Sequence, residues 1–154
     1  MMFPKDPRSS SVLIADDSAD FCQFVASILN LGGFFRFRFA RDGAEAVESA
    51  KTHPPDLVIM DMMMPRMTGL HALRILKNLP ETKDIPVIIL TAMGDYESLQ
   101  GDCRADEVLH KPVDPRRLIS TCRRLLEGTE GHPETEDHLD LVAFHEEPPS
   151  TQWP

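Results

Sequence analysis

Five side chains spread along the sequence have the types needed to move a phosphoryl group: Asp16, Asp17, Asp61, Thr91 and Lys111. Three carboxylates gathered in one place repel, and burying them unpaired is costly. A hard divalent cation resolves the conflict. Mg2+ takes oxygen ligands and keeps several waters, so it suits two carboxylates, a backbone carbonyl and a phosphoryl oxygen. One carboxylate can then act as nucleophile at phosphorus and form an aspartyl phosphate. The transferring group carries negative charge on its equatorial oxygens, which Lys111 meets as a point charge and Thr91 as a hydroxyl donor. Taken singly these residues are ordinary. Acids often end strands as turn formers or helix caps, and a strand-end threonine says less still. Their joint occurrence at the ends of successive strands is the stronger signal.

The elements that must position them read as alternating strands and helices. Val12-Leu-Ile-Ala15 is a short apolar run ending at Asp16-Asp17. A helix follows from Ser18, which can cap it, with Phe21, Phe24, Val25, Ile28, Leu29 and Leu31 on one broad face and Gly32-Gly33 as its stop. Phe34 to Phe39 alternates Phe with Arg and suits an edge strand with one wet face. Asp42-Gly43 turns the chain into a short helix from Ala44 to Lys51, broken by Pro54-Pro55. The third strand, Asp56 to Met60, ends at Asp61, and a helix runs from Gly69 to Leu79. Pro86 to Leu90 is the fourth strand, ending at Thr91, and Val108-Leu109 is the fifth, stopping before Lys111-Pro112. Asp114 caps a final helix with Pro115 at its first position and Leu118, Ile119, Cys122, Leu125 and Leu126 on its apolar face. Five successive βα units imply an α/β fold: a parallel sheet, doubly wound, with right-handed crossovers. Sites in such sheets form beyond the carboxyl ends of the strands, where the five residues fall.

Composition narrows the class. The chain has 154 residues, 42% apolar and 27% charged, enough for one domain with one core. Its apolar runs are too short to span a membrane, and the N-terminus lacks the apolar core of a secretory signal, so a cytoplasmic protein is expected. The net charge of −9 is uneven: residues 128–154 hold seven acids and no Lys or Arg, a net of −7. That acidity, and the lack of a basic stripe with interleaved aromatics, argues against direct nucleic-acid binding. Cys22, Cys103 and Cys122 are too widely spaced for a zinc site and read as reduced thiols. The six histidines show no metal-ligand spacing. Residues 1–10 read as a disordered leader, 11–127 as the folded domain, and 128–154 as an acidic, proline-containing disordered tail. Within the tail, Leu139 to Phe144 could dock on a partner or on the domain itself.

The stretch Asp61-Met-Met-Met-Pro65-Arg-Met-Thr-Gly69 resembles the phosphoacceptor loop of response-regulator receiver domains. Asp16-Asp17, Thr91-Ala92 and Lys111-Pro112 match the family's other signature positions in order, and Ala40-Arg-Asp-Gly43-Ala-Glu-Ala46 resembles its second βα junction. The resemblance covers residues 11–127. It implies a flavodoxin-like, CheY-like sheet in the order 2-1-3-4-5. It also implies that Asp61 accepts phosphoryl from a histidine kinase or histidine phosphotransfer protein. Asp17 would bind Mg2+, or Mn2+ in its place, directly, Asp16 directly or through water, and Met63 through its backbone carbonyl. Lys111 would contact the phosphoryl group, and Thr91 would move to hydrogen-bond it. Pro65 and Gly69 would shape the loop, and a cis bond would precede Pro112. The resemblance implies no membrane contact, a monomer or weak dimer, and a regulatory phosphoacceptor rather than an enzyme.

Two departures from the family pattern stand out. The aromatic residue that usually swings with the threonine is replaced by Val108, a stiff β-branched residue with no ring. The Thr91–Lys111 interval is slightly short, and Gly94 to Arg104 is poor in apolar residues, which predicts a short or irregular fourth helix there. Met63 and Met93 stand near where an attacking water must arrive; they are loop packing or a brake on hydrolysis. Three readings follow: a stand-alone receiver signalling by protein contact, a degenerate receiver binding partners independently of phosphorylation, and a phosphohydrolase. The intact Asp16, Asp17, Asp61, Thr91 and Lys111 oppose the second. Met63, where a hydrolase would want a second acid, opposes the third.

Overall fold

The computed structural model describes residues 5–92 and 104–128. Five strands, β1 (Ser11–Ala15), β2 (Arg36–Ala40), β3 (Leu57–Asp61), β4 (Val87–Thr91) and β5 (Glu107–His110), form one parallel sheet in the order β2-β1-β3-β4-β5. The described helices are α1 (Ala19–Leu31), α2 (Gly43–Thr52), α3 (Gly69–Asn78) and α4 (Pro115–Glu127). The fold is the expected doubly wound one. Every residue of β3 and β4 is buried, as strands covered on both faces must be. Residues from α1 and α4 share one core cluster with Ile14, Ile59 and Ile88; residues from α2 and α3 share the other with Leu13, Met60 and Ile89.

Local chemistry starts each helix. Ser18, Asp42, Thr68 and Asp114 each accept a backbone N–H of the following turn, from Phe21, Glu45, His71 and Arg116. Pro115 opens α4, where its missing N–H costs nothing. A partly exposed network fastens β5. Lys77 Nζ of α3 donates to the Ile85 carbonyl at 2.8 Å and to Asp106 Oδ2 at 2.9 Å, and that oxygen also accepts the Val87 N–H at 2.8 Å.

Several sequence expectations need correction. The second strand starts at Arg36, not Phe34, because Phe34 is fully buried where its N–H closes back onto the Leu29 carbonyl. Its arginines are not merely wet: Arg38 donates to the Ser49 and His53 carbonyls at the end of α2. On α1, Phe24 and Leu31 lie outside the core at 49% and 81% exposure, and on the edge strand side Phe35 and Phe39 are also exposed. The leader is held from Lys5 onward. The Lys5 N–H donates to Leu126, its Nζ pairs with Asp56 at 2.6 Å, and Ser10 is buried. The expected fourth helix, with Met93 and Cys103, and the tail, with Leu139 to Phe144, lie outside the described residues.

Cys22 and Cys122 are buried and free, and burial raises both thiols, that of Cys22 to about 11. Among the described residues no helix is long and apolar enough to cross a membrane.

Candidate functional site

The parallel sheet delivers the chemistry to one edge. β1 leads into Asp16-Asp17, β3 ends on Asp61, β4 on Thr91, and β5 leads into Lys111. Carboxylate oxygens of Asp16, Asp17 and Asp61 all lie within 4.8 Å of one another. Asp16 is buried and Asp17 exposed, so the cluster opens to solvent on one side. Asp16 Oδ1 accepts the Ser18 N–H at 2.8 Å, which ties it to the start of α1. Its other oxygen lies 3.2 Å from Lys111 Nζ, which is also 3.4 Å from Asp61 Oδ1. One ammonium therefore bridges two of the three carboxylates.

Lys111 is itself positioned from three directions. Its backbone N–H donates to the Thr91 carbonyl at 2.8 Å, and the peptide to Pro112 is cis. Its ammonium stands over the Phe21 ring, 4.2 Å from the centroid, where the ring's negative face attracts it. Phe21 read from the sequence only as a core residue, and nothing in its helical spacing signals this contact.

Burial pushes the Asp61 carboxyl above its ordinary value. Lys111 and the Met63 amide oppose that rise, and Asp16 adds to it. Thr91 is fully buried; its hydroxyl lies 3.7 Å from Met62 Sδ and 3.1 Å from the Ala92 carbonyl oxygen. Val108 pairs with Ile89 across the sheet and packs, partly buried, into the cluster under α2 and α3.

The loop after Asp61 is tightly constrained. A Cβ on Gly69 would lie 2.1 Å from the Asp61 carbonyl oxygen, so only glycine lets α3 start this close to the Asp61 backbone. The Gly69 N–H donates to the Met62 carbonyl at 2.8 Å, and the Pro65 carbonyl accepts the Met67 N–H at 2.7 Å. Between them Arg66 adopts φ 67°, and its guanidinium reaches Asp42. The Met63 side chain is half exposed. The structure thus gathers Asp16, Asp17, Asp61 and Lys111, sets Thr91 on the adjoining strand end, and leaves Val108 on the sheet face beneath them.

Comparison with known proteins gives one family. A family model described as the response regulator receiver domain matches residues 12–123. The polar-differentiation response regulator DivK of Brucella ovis is 34% identical over 122 residues, covering 77% of this chain and 97% of its own. The DNA-binding dual master transcriptional regulator RpaA of Synechocystis sp. is 32% identical over 133 residues; 85% of this chain matches about half (55%) of that protein. Among solved structures, the signal receiver domain of a signal transduction histidine kinase from Syntrophus aciditrophicus superposes with a TM-score of 0.72. It is 35% identical and covers 80% of this chain and 95% of its own.

Proposed function

Since the chain belongs to the response regulator receiver domain family, we propose that Asp61 accepts a phosphoryl group from a phosphohistidine and that the modified domain signals through protein contacts. The donor is a histidine kinase or a histidine phosphotransfer protein, and the work is done in the cytoplasm. The observation that carries this reading is the cluster of Asp16, Asp17, Asp61 and Lys111 at the carboxyl edge of the sheet.

The donor set fits a hard divalent cation, being all oxygen, closely gathered and open on the Asp17 side. Asp16, Asp17, Asp61 and the Met63 carbonyl would hold Mg2+ or Mn2+. When bound, the ion neutralises charge developing on the phosphoryl oxygens. One Asp61 oxygen forms the new P–O bond as the P–N bond to the donor imidazole breaks; the imidazole keeps that electron pair and takes up a proton. Lys111, already on Asp61, moves its ammonium to the incoming phosphoryl oxygens. The Thr91 hydroxyl leaves Met62 and Ala92 to donate to the same group. Val108 has no ring to follow that motion, so the readout differs from that of receivers with an aromatic there. The role is regulatory, with one phosphoryl group accepted per cycle.

Incubation of the full chain with acetyl phosphate or phosphoramidate and Mg2+, followed by intact mass, tests this. One phosphoryl adduct, absent from Asp61→Asn, is expected. No adduct on the wild-type chain would replace this reading with the phosphorylation-independent binding module. Continuous turnover of small phosphate esters would point to the hydrolase.

A further inference from the structure

We propose that the ion pair between Arg66 and Asp42 is a clamp that holds the acceptor loop in the shape its cation ligands need, and so sets the cation affinity of the site. The inference rests on the reading of the Asp61 cluster given above. Arg66 Nε donates to Asp42 Oδ2 at 2.8 Å, and its terminal nitrogen lies 2.6 Å from the same oxygen. The other oxygen, Oδ1, accepts the Glu45 N–H at 2.8 Å and caps α2. The Asp42 side chain is 4% exposed, whereas that of Arg66 is 70% exposed. The carboxylate is therefore the fixed post, and the loop reaches back to it. Ion pairs with both partners exposed contribute little, but this acceptor is buried and both of its oxygens are occupied.

A second tie lies beside the first. The Gly43 N–H donates to the Met67 carbonyl at 3.0 Å, and a Cβ on Gly43 would meet that oxygen at 2.5 Å. Asp42-Gly43 thus grips Arg66-Met67 through a side chain and through backbone. Arg66 adopts φ 67°, which a residue with a Cβ does not choose unaided. The ion pair supplies a reason for it to stay there. The ends of the loop are anchored on their own: the Met62 N–H donates to the Leu90 carbonyl and the Gly69 N–H to the Met62 carbonyl. Met63 lies in the span between, so its carbonyl has its direction set by how residues 64–67 are held. Small displacements of a ligand matter most for Mg2+, which demands near-ideal octahedral geometry.

The two halves of the pair can be removed separately. Arg66→Gly deletes the guanidinium while keeping a residue at ease with positive φ. Asp42→Asn keeps the helix cap and removes the charge. Mg2+ and Mn2+ binding by calorimetry on the full chain is expected to weaken about fivefold or more in each, the lower end of inter-site coupling. Arg66→Lys should recover part of the loss. Linkage is reciprocal, so Mg2+ added to wild-type chain should shift the Arg66 Nε–H resonance and slow its exchange. Wild-type affinity in both Arg66→Gly and Asp42→Asn, or an Arg66 signal indifferent to Mg2+, would overturn the clamp and leave the acceptor reading standing. A wild-type chain that binds neither cation would overturn both. Should one variant fail to fold, the other and the wild-type resonance still decide.

Discussion

Burial holds the Asp61 carboxyl above its ordinary value of 3.8 despite Lys111 beside it. A carboxyl raised on folding contributes stability below its unfolded value and loses it as pH rises through the folded value. At neutral pH the ionised Asp61 is therefore a cost. Asp61→Asn is expected to stabilise the domain at pH 7, with the gain shrinking as pH falls towards 3.8, read from thermal melts across pH. Gly69→Ala forces a Cβ against the Asp61 carbonyl and should cost about 2–3 kcal/mol in denaturant melts. At this scale the sequence is legible where polar side chains fall at strand ends. Asp16, Asp17, Asp61, Thr91 and Lys111 stand where alternating elements put them. Phe21 under Lys111 and Arg66 on Asp42 were not readable, because each contact depends on how turns bring distant segments together.

Elements were readable to within a residue or two where caps and apolar runs coincide, as at Ser18, Asp114 and the buried strands β3 and β4. The edge strand starts two residues later than its Phe-rich sequence suggests, because Phe34 looks like a strand residue but serves as a plug after α1. Phe24 and Leu31 fit the periodicity of a core face yet lie exposed, since a 3.6-residue pattern gives direction but not the width of the face a neighbour covers. The fastening of β5 left no sequence signal, because Lys77 and Asp106 are each ordinary charged residues. Asp106→Ala leaves the Val87 N–H and the Lys77 ammonium without that carboxylate. It should cost about 1–2 kcal/mol by chemical denaturation, with faster hydrogen exchange concentrated in the β4 and β5 amides. Thr68→Ala removes the α3 cap beside the loop after Asp61 and should cost about 1 kcal/mol.

Across the whole molecule, the acid limb of stability is tied to the N-terminal segment. Burial pushes the Asp56 carboxyl up, but Lys5 and the Ser11 amide and hydroxyl outweigh it and leave it below 3.8. A depressed carboxyl contributes stability above its unfolded value and loses it as pH falls through the folded one. Asp56→Ala should therefore lose about 1–2 kcal/mol at neutral pH, and the difference from wild type should vanish in acid below 3.8, checked by urea titrations at several pH values. The bridging position of Lys111 has a consequence for how the protein comes into being. Many small metal sites hold a chain unfolded until their ion arrives. Here a covalently attached cation already sits between Asp16 and Asp61, so the repulsion that would keep strands β1 and β3 apart is answered by the polypeptide itself. The newly made chain can then finish folding without waiting on the supply of free ions, and a cation taken up under the proposed reading would arrive later and leave without dismantling the fold.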